Sequence, residues 1–226
     1  MTIDLRGEWL CAQLTTGQSK TPGIGEALTR TRLSSRLTLT QDGDALSVSW
    51  RVVDLSIDTG TRIARAELSP DLVENMSILE RPGRVHDGRL ELDWAQSVMG
   101  AEVDEDESLP EEPDDPRVRD TDRDGEPGVT IKFRGLARGR VFAAQRTRTR
   151  LLSDPIGDER PTRIAGLVEW RLEQTVLGAT NPLLKLAPTI HPIDERDASW
   201  FVMERESASM SDDQARERIE TLFDRG

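Results

Sequence analysis

Apolar and polar residues alternate with a period of two along much of the chain, which predicts β-strands. Residues 32–41 and 46–52 show the pattern most clearly, and Asp42-Gly43 lies between them. An Asp-Gly pair between alternating segments is typical of a two-residue hairpin turn. A turn at these two residues would pair Leu39 with Leu46 and keep the apolar faces of both strands on one side.

The same alternation recurs further along the chain. A second hairpin is predicted at Asp87-Gly88, before Leu90, Leu92 and Trp94, and residues 71–79 are ambiguous between strand and short helix. Further strands are predicted over residues 63–68, 129–134, 140–152, 163–177 and 199–206. Strands of a dozen residues span roughly 40 Å. We therefore expect an all-β fold over residues 1–226, either an antiparallel, lipocalin-like β-barrel or a bent sandwich.

Two segments depart from the strand pattern. Ser211 to Gln214 resembles a helix capping box, and the apolar residues that follow recur at helical spacing, which predicts a C-terminal helix over residues 211–224. Residues 102–119 are rich in Asp, Glu and Pro and have few apolar side chains. That composition predicts a solvated, disordered-like acidic loop.

Composition narrows the classes of function. The chain has 226 residues, 35% hydrophobic residues and a net charge of −12. Such a charge disfavours nucleic acid and favours cations and basic partners. No apolar run is long enough for a transmembrane helix, and residues 2–7 do not resemble a signal peptide. The protein is then cytoplasmic, or it is exported and Met1 follows a removed signal.

The segment from Asp120 to Gly128 is the clearest candidate for chemistry. Asp120, Asp122 and Asp124 occupy alternate positions and Gly125 follows them. Carboxylates at positions 1, 3 and 5 with glycine at position 6 can converge on Ca²⁺, and the carbonyl of Glu126 at position 7 is a further candidate ligand. Millimolar extracellular calcium would fill even a weak site, so the loop favours export.

The loop is not an EF-hand. Position 12 is Ile131 rather than glutamate, and a strand follows instead of a helix. A ligand from outside the loop would complete the shell, with Asp114, Asp115 or residues 181–197 as candidates. The alternative is a polar Asp/Gly turn without a metal, because aspartate readily bonds its own backbone in turns.

Other residues suggest weaker hypotheses. Arg146 and Arg148 share one face of a strand, and if that face pointed into a barrel they would bind an anion, with Trp170 as a further lining residue. The alternative is a solvated outer face paired with Glu169 or Glu173. His191 with a carboxylate such as Asp194 is the only visible start for a hydrolase.

Two resemblances accompany these patterns. Gly7-Glu8-Trp9 resembles the GxW opening of lipocalin-like barrels. Residues 120–133, 139–146, 164–179 and 199–203 are similar to uncharacterised exported proteins of myxobacteria, which carry a DxDGDGxPGVT loop in the same order. This resemblance implies export and cation binding, and it implies no activity.

These observations predict an exported or envelope-associated, calcium-stabilised β-barrel that acts as a binding module without catalytic activity. One alternative is a carrier of a small hydrophobic or anionic ligand inside the barrel. Another is a hydrolase of unknown specificity.

Overall fold

A computed structural model describes residues 2–21, 25–60, 64–135, 138–185, 189–195, 197–206 and 210–224. Antiparallel strands make up most of it, as the alternation predicts. In chain order the strands are β1 Gly7–Thr21, β2 Gly25–Asp42, β3 Ala45–Asp58, β4 Ala64–Leu68, β5 Leu79–His86, β6 Arg89–Met99, β7 Val129–Gly135, β8 Gly139–Ser153, β9 Arg163–Ala179, β10 Thr189–Pro192 and β11 Trp200–Arg205. The helices are α1 Pro70–Asn75 and α2 Asp212–Phe223, with a 3-10 turn at Pro182–Lys185.

The sheet closes on itself. Neighbouring strands pair in the order β1, β2, β3, β5, β6, β8, β9 and β11, and β11 pairs with β1 again. The ring is irregular, because β4, β7 and β10 join it at the sides. The predicted all-β class, an antiparallel barrel or bent sandwich with a C-terminal helix, is confirmed.

One edge of β8 holds two successive strands. Met99 at the end of β6 pairs with Gln145, and Val129 at the start of β7 pairs with Ala143. The chain therefore leaves the sheet after β6 and returns almost where it left. The excursion between these points, residues 100–128, contains both the acidic segment and the aspartate loop.

The main apolar core lies inside the ring. It gathers inward-facing residues of most strands around Trp9 and Phe201, both fully buried. A second core lies outside the ring, where helix α2 covers Leu10, Val53 and Val202. The predicted capping box is present, because Ser211 accepts from the Gln214 N–H and the Gln214 side chain accepts from the Ser211 N–H.

The predicted hairpins are present, but two details of the predictions are wrong. The first hairpin pairs Leu39 with Val48, not with Leu46, because the turn is at Gly43 and Asp44. A shift of two residues keeps every side chain on its predicted face. A bulge in β6 between Leu92 and Ala95 turns Trp94 outward, where it is 42% exposed rather than buried in the core.

The ambiguous residues 71–79 contain helix α1 and the start of β5. The predicted strand at 63–68 appears as β4, and its first residue, Ile63, lies outside the described residues. Residues 136–137, between the predicted strands 129–134 and 140–152, also lie outside them.

Candidate functional site

The aspartate loop brings its three carboxylates together. One oxygen from each of Asp120, Asp122 and Asp124 lies within 4.8 Å of the others. Asp120 and Asp124 are exposed, whereas Asp122 is 1% exposed. The alternate spacing therefore gives the convergence that the sequence predicts.

Side-chain bonds to the backbone wrap the loop. The Asp120 carboxylate accepts the N–H groups of Asp124 at 3.1 Å and Gly125 at 2.9 Å. Arg123 and Gly125 have left-handed φ values of 54° and 84°, which turn the chain back on itself. A left-handed arginine is uncommon, and the two bonds to Asp120, which span Arg123, hold it there.

The base of the loop is fixed to the sheet. The Thr121 N–H donates to the Gly128 carbonyl at 3.1 Å, and the Thr121 hydroxyl accepts the Gly100 N–H at 2.9 Å. Gly128 has a φ of +84°, and a Cβ there would meet the Ala143 carbonyl oxygen at 2.4 Å. These anchors, which sequence patterns did not reveal, place the loop directly against β8.

Asp122 is the unusual member of the cluster. Its Oδ2 accepts the Thr130 N–H at 3.1 Å, but its buried Oδ1 has no partner among the described residues. Burial, reinforced by the charges of Asp124 and Asp120, raises the pKa of the Asp122 carboxyl, while interactions with the backbone N–H groups of Thr130 and of Asp122 itself oppose the rise. A buried acceptor without a donor, beside two like charges, fits a hard divalent cation, which oxygen ligands suit best.

The other predicted ligands lie differently. The Glu126 carboxylate forms an ion pair with Arg140 at 2.9 Å. The backbone carbonyl is therefore the group of Glu126 that remains as a candidate metal ligand. Asp115 is paired with Arg117 at 2.7 Å. Asp114 is exposed, and among the described residues it is not part of the three-carboxylate group.

Arg146 and Arg148 lie on the outer face of β8, not inside the ring. Arg146 pairs with Glu173 at 3.1 Å, as the outer-face alternative holds, but it is 4% exposed and therefore not solvated as that alternative predicts. Its Nη2 also donates to the carbonyls of Asp104 and Glu107, and Arg148 donates to the Glu105 carbonyl. The two arginines therefore hold the acidic segment against the sheet.

The acidic segment is a loop, but it has its own apolar contacts. Leu109 is 6% exposed and packs with Phe142 and Leu177 on the outer face of β8 and β9. Val118 forms an isolated bridge with Ala101. The segment has few apolar residues, but those it has lie where they contact the rest of the protein.

Trp170 is inside the ring and 7% exposed. Its Nε1 donates to the Ser199 hydroxyl at 3.1 Å, so it belongs to the main core. His191 is exposed on β10, opposite Gln18, and the described residues show no hydrogen bond or ion pair between it and Asp194. Pro188, the residue before β10, lies outside the described residues.

The ring encloses a cavity of about 130 Å³ next to the main core. Arg81 of β5 lines it and is 2% exposed. The sequence did hold a signal for this residue, because Arg81 shares the inward face of β5 with Leu79 and Val85. A charged residue in an apolar alternation is such a signal, and it was missed.

No described helix is both long and apolar enough to cross a membrane. Comparisons of the chain with models of protein families, with curated proteins and with solved structures gave no match.

Proposed function

We propose that the protein is a calcium-stabilised β-barrel binding module that works outside the cytoplasm or at the cell envelope. The observation that carries the proposal is the buried Asp122 carboxylate, whose Oδ1 has no partner among the described residues and which lies within 4.8 Å of Asp120 and Asp124. Without a cation, this arrangement combines an unsatisfied buried acceptor with repulsion between carboxylates. A bound Ca²⁺ would remove both costs.

The position of the loop supports a structural role. The loop joins the acidic segment to β7, and Thr130 of β7 donates its N–H to Asp122. A cation held by the three aspartates would therefore fix the end of the excursion 100–128 to the sheet. Export follows from the same chemistry, since a weak loop site fills only at extracellular calcium concentrations.

The test is calorimetric titration of chelated protein with Ca²⁺, with melting scans in chelator and in calcium. Binding is expected at or below about millimolar concentration. Calcium at a hundredfold excess over the dissociation constant is expected to stabilise the fold by about 2.7 kcal/mol.

Two variants test whether calcium binds at the aspartate loop. Asp122→Asn is expected to lose calcium binding but to melt no lower than wild type in chelator, because it removes a charge from the cluster. Asp106→Asn removes an exposed acidic residue of the same excursion and should bind calcium as wild type does. If wild type does not bind, or if Asp122→Asn is less stable in chelator and responds normally to calcium, the site is a polar turn.

A further inference from the structure

We propose that the cavity inside the ring binds the carboxylate of a small amphiphile, a monocarboxylic acid with an unbranched apolar tail, through the guanidinium of Arg81. This proposal is separate from the calcium site. It rests on a buried cation that bonds to no carboxylate of the residues the structure describes, on its place in the lining of a cavity, and on the apolar side chains around it.

The Arg81 guanidinium is incompletely satisfied. Its Nη2 donates to the carbonyls of Leu92, Asp93 and Thr149. Within the described part of the chain, its Nη1 has only a long contact of 3.5 Å to the Thr149 hydroxyl, and its Nε has no partner. Among the described residues no carboxylate bonds to Arg81, although it is 2% exposed.

A buried charge needs compensation. Carbonyl dipoles, the charge of Asp93 and the face of Trp50, whose ring centre is 5.5 Å from the guanidinium carbon, supply part of it. A guanidinium that bonds to no carboxylate of the described residues is nevertheless costly inside the ring. A monovalent carboxylate would balance it, whereas a dianionic phosphate would leave one negative charge uncompensated in the same interior.

The rest of the cavity suits an apolar tail. Aliphatic residues of several strands line it, among them Leu33, Val52, Leu55, Ile57, Leu79 and Ile131. The Gln13 side chain, 5% exposed, also lines it, and the described residues offer it no hydrogen bond. The volume is about 130 Å³. An apolar cavity of about 150 Å³ accepts benzene, so a tail of about six carbons is the expected size.

The test compares octanoate with 1-octanol, which has the same tail length without the charge. Calorimetry on the full chain, with Trp fluorescence as a second readout, is expected to show octanoate binding at least about tenfold more tightly, because hydrogen bonds to charged groups are the stronger ones. Equal affinities for the two probes, or no octanoate binding at millimolar concentration, would overturn the proposal.

Arg81→Met should abolish the preference for octanoate while keeping any binding of octanol. Arg84→Met is the matched control, since Arg84 lies on the same strand but pairs with Glu91 on the outside and is 52% exposed. Replacing a buried charge by an apolar residue of similar volume is often tolerated. If Arg81→Met does not fold, Ser97→Leu, which fills the cavity from β6, is expected to weaken both probes.

The two proposals fail separately. Asp122→Asn should bind octanoate as wild type does, because Asp122 does not line the cavity. An octanoate affinity that is the same in Arg81→Met and wild type would overturn the role of Arg81 whatever calcium does.

Discussion

Single glycines fix where the excursion 100–128 leaves and rejoins the sheet. Gly100 follows β6 with a φ of +77°, and a Cβ there would meet the Ala143 carbonyl oxygen at 2.2 Å. A Cβ at Gly128, at the other end of the excursion, would meet the same carbonyl oxygen. The two glycines thus let both ends of a long insertion approach one point of β8, beside the aspartate loop.

We predict that Gly100→Ala is clearly more destabilising than Gly43→Ala. Gly43 also has a left-handed φ, +58°, but a Cβ added there would meet nothing within 4 Å. Alanine at Gly43 should therefore cost only about 1 kcal/mol for its backbone conformation. Gly100→Ala adds a backbone clash that should cost a further ~1–3 kcal/mol. Urea denaturation of both variants measures the difference, and equal losses would show that the contact relaxes freely.

At the residue scale, only part of the candidate metal site could be predicted from the sequence. The spacing of Asp120, Asp122 and Asp124 is local, so the sequence predicted their convergence. The anchors at Gly100 and Ala143 depend on where β8 pairs with β6 and β7, which no local pattern reveals. Arg146 shows the same limit, because its burial requires the acidic segment to fold over β8.

Among the elements, helix α2 is attached to the ring by charge as well as by its apolar face. The Asp212 carboxylate in its first turn accepts from both terminal nitrogens of Arg51, at 2.8 and 2.6 Å, and from Arg36 at 3.2 Å. These bonds, chiefly those from Arg51, lower the pKa of Asp212 from 3.8 to about 2. The helix is thus linked to β2 and β3 through one carboxylate.

This link predicts a pH dependence. Because the pKa is lower in the folded state, the contribution of Asp212 is present above pH ~4 and is lost as the pH falls towards about 2. The side chain is 44% exposed, so Asp212→Asn should cost less than about 1 kcal/mol at neutral pH. Urea titrations at decreasing pH should show the difference from wild type shrinking below pH ~4. Asp213→Asn, on a 91% exposed side chain, is the control and should show little effect at any pH.

The elements that could be predicted from the sequence were those whose structure depends on neighbouring residues, such as hairpin turns. The hairpin at Asp87-Gly88 was predicted correctly, since both residues have positive φ, 49° and 70°, as that turn requires. The first hairpin shifted by two residues because Gly43 is the first residue of its turn rather than the second. The bulge that exposes Trp94 arises from pairing with β8, so alternation along β6 could not reveal it.

At the scale of the whole molecule, the closed ring couples its parts. Strand β9 closes it by pairing with β8 on one side and β11 on the other. The core inside draws on strands from both halves of the sequence, so neither half can bury its apolar face alone. The order of strands around the ring, unlike the strands themselves, was beyond local sequence patterns.

Closure predicts one cooperative unfolding transition. Gly166 lies at the β8–β9 contact, where an added Cβ would meet the Leu152 carbonyl oxygen at 2.1 Å. Gly166→Val should therefore destabilise the whole protein by more than about 2 kcal/mol, although valine suits strands. Far-UV circular dichroism and Trp fluorescence should move together, because Trp9 and Trp50 are inside the ring and the helix is attached to it. Gly157→Val, with nothing within 4 Å of the added atom, should change neither probe. Separate transitions for the two probes would mean that part of the ring unfolds independently, and that its closure contributes little to stability.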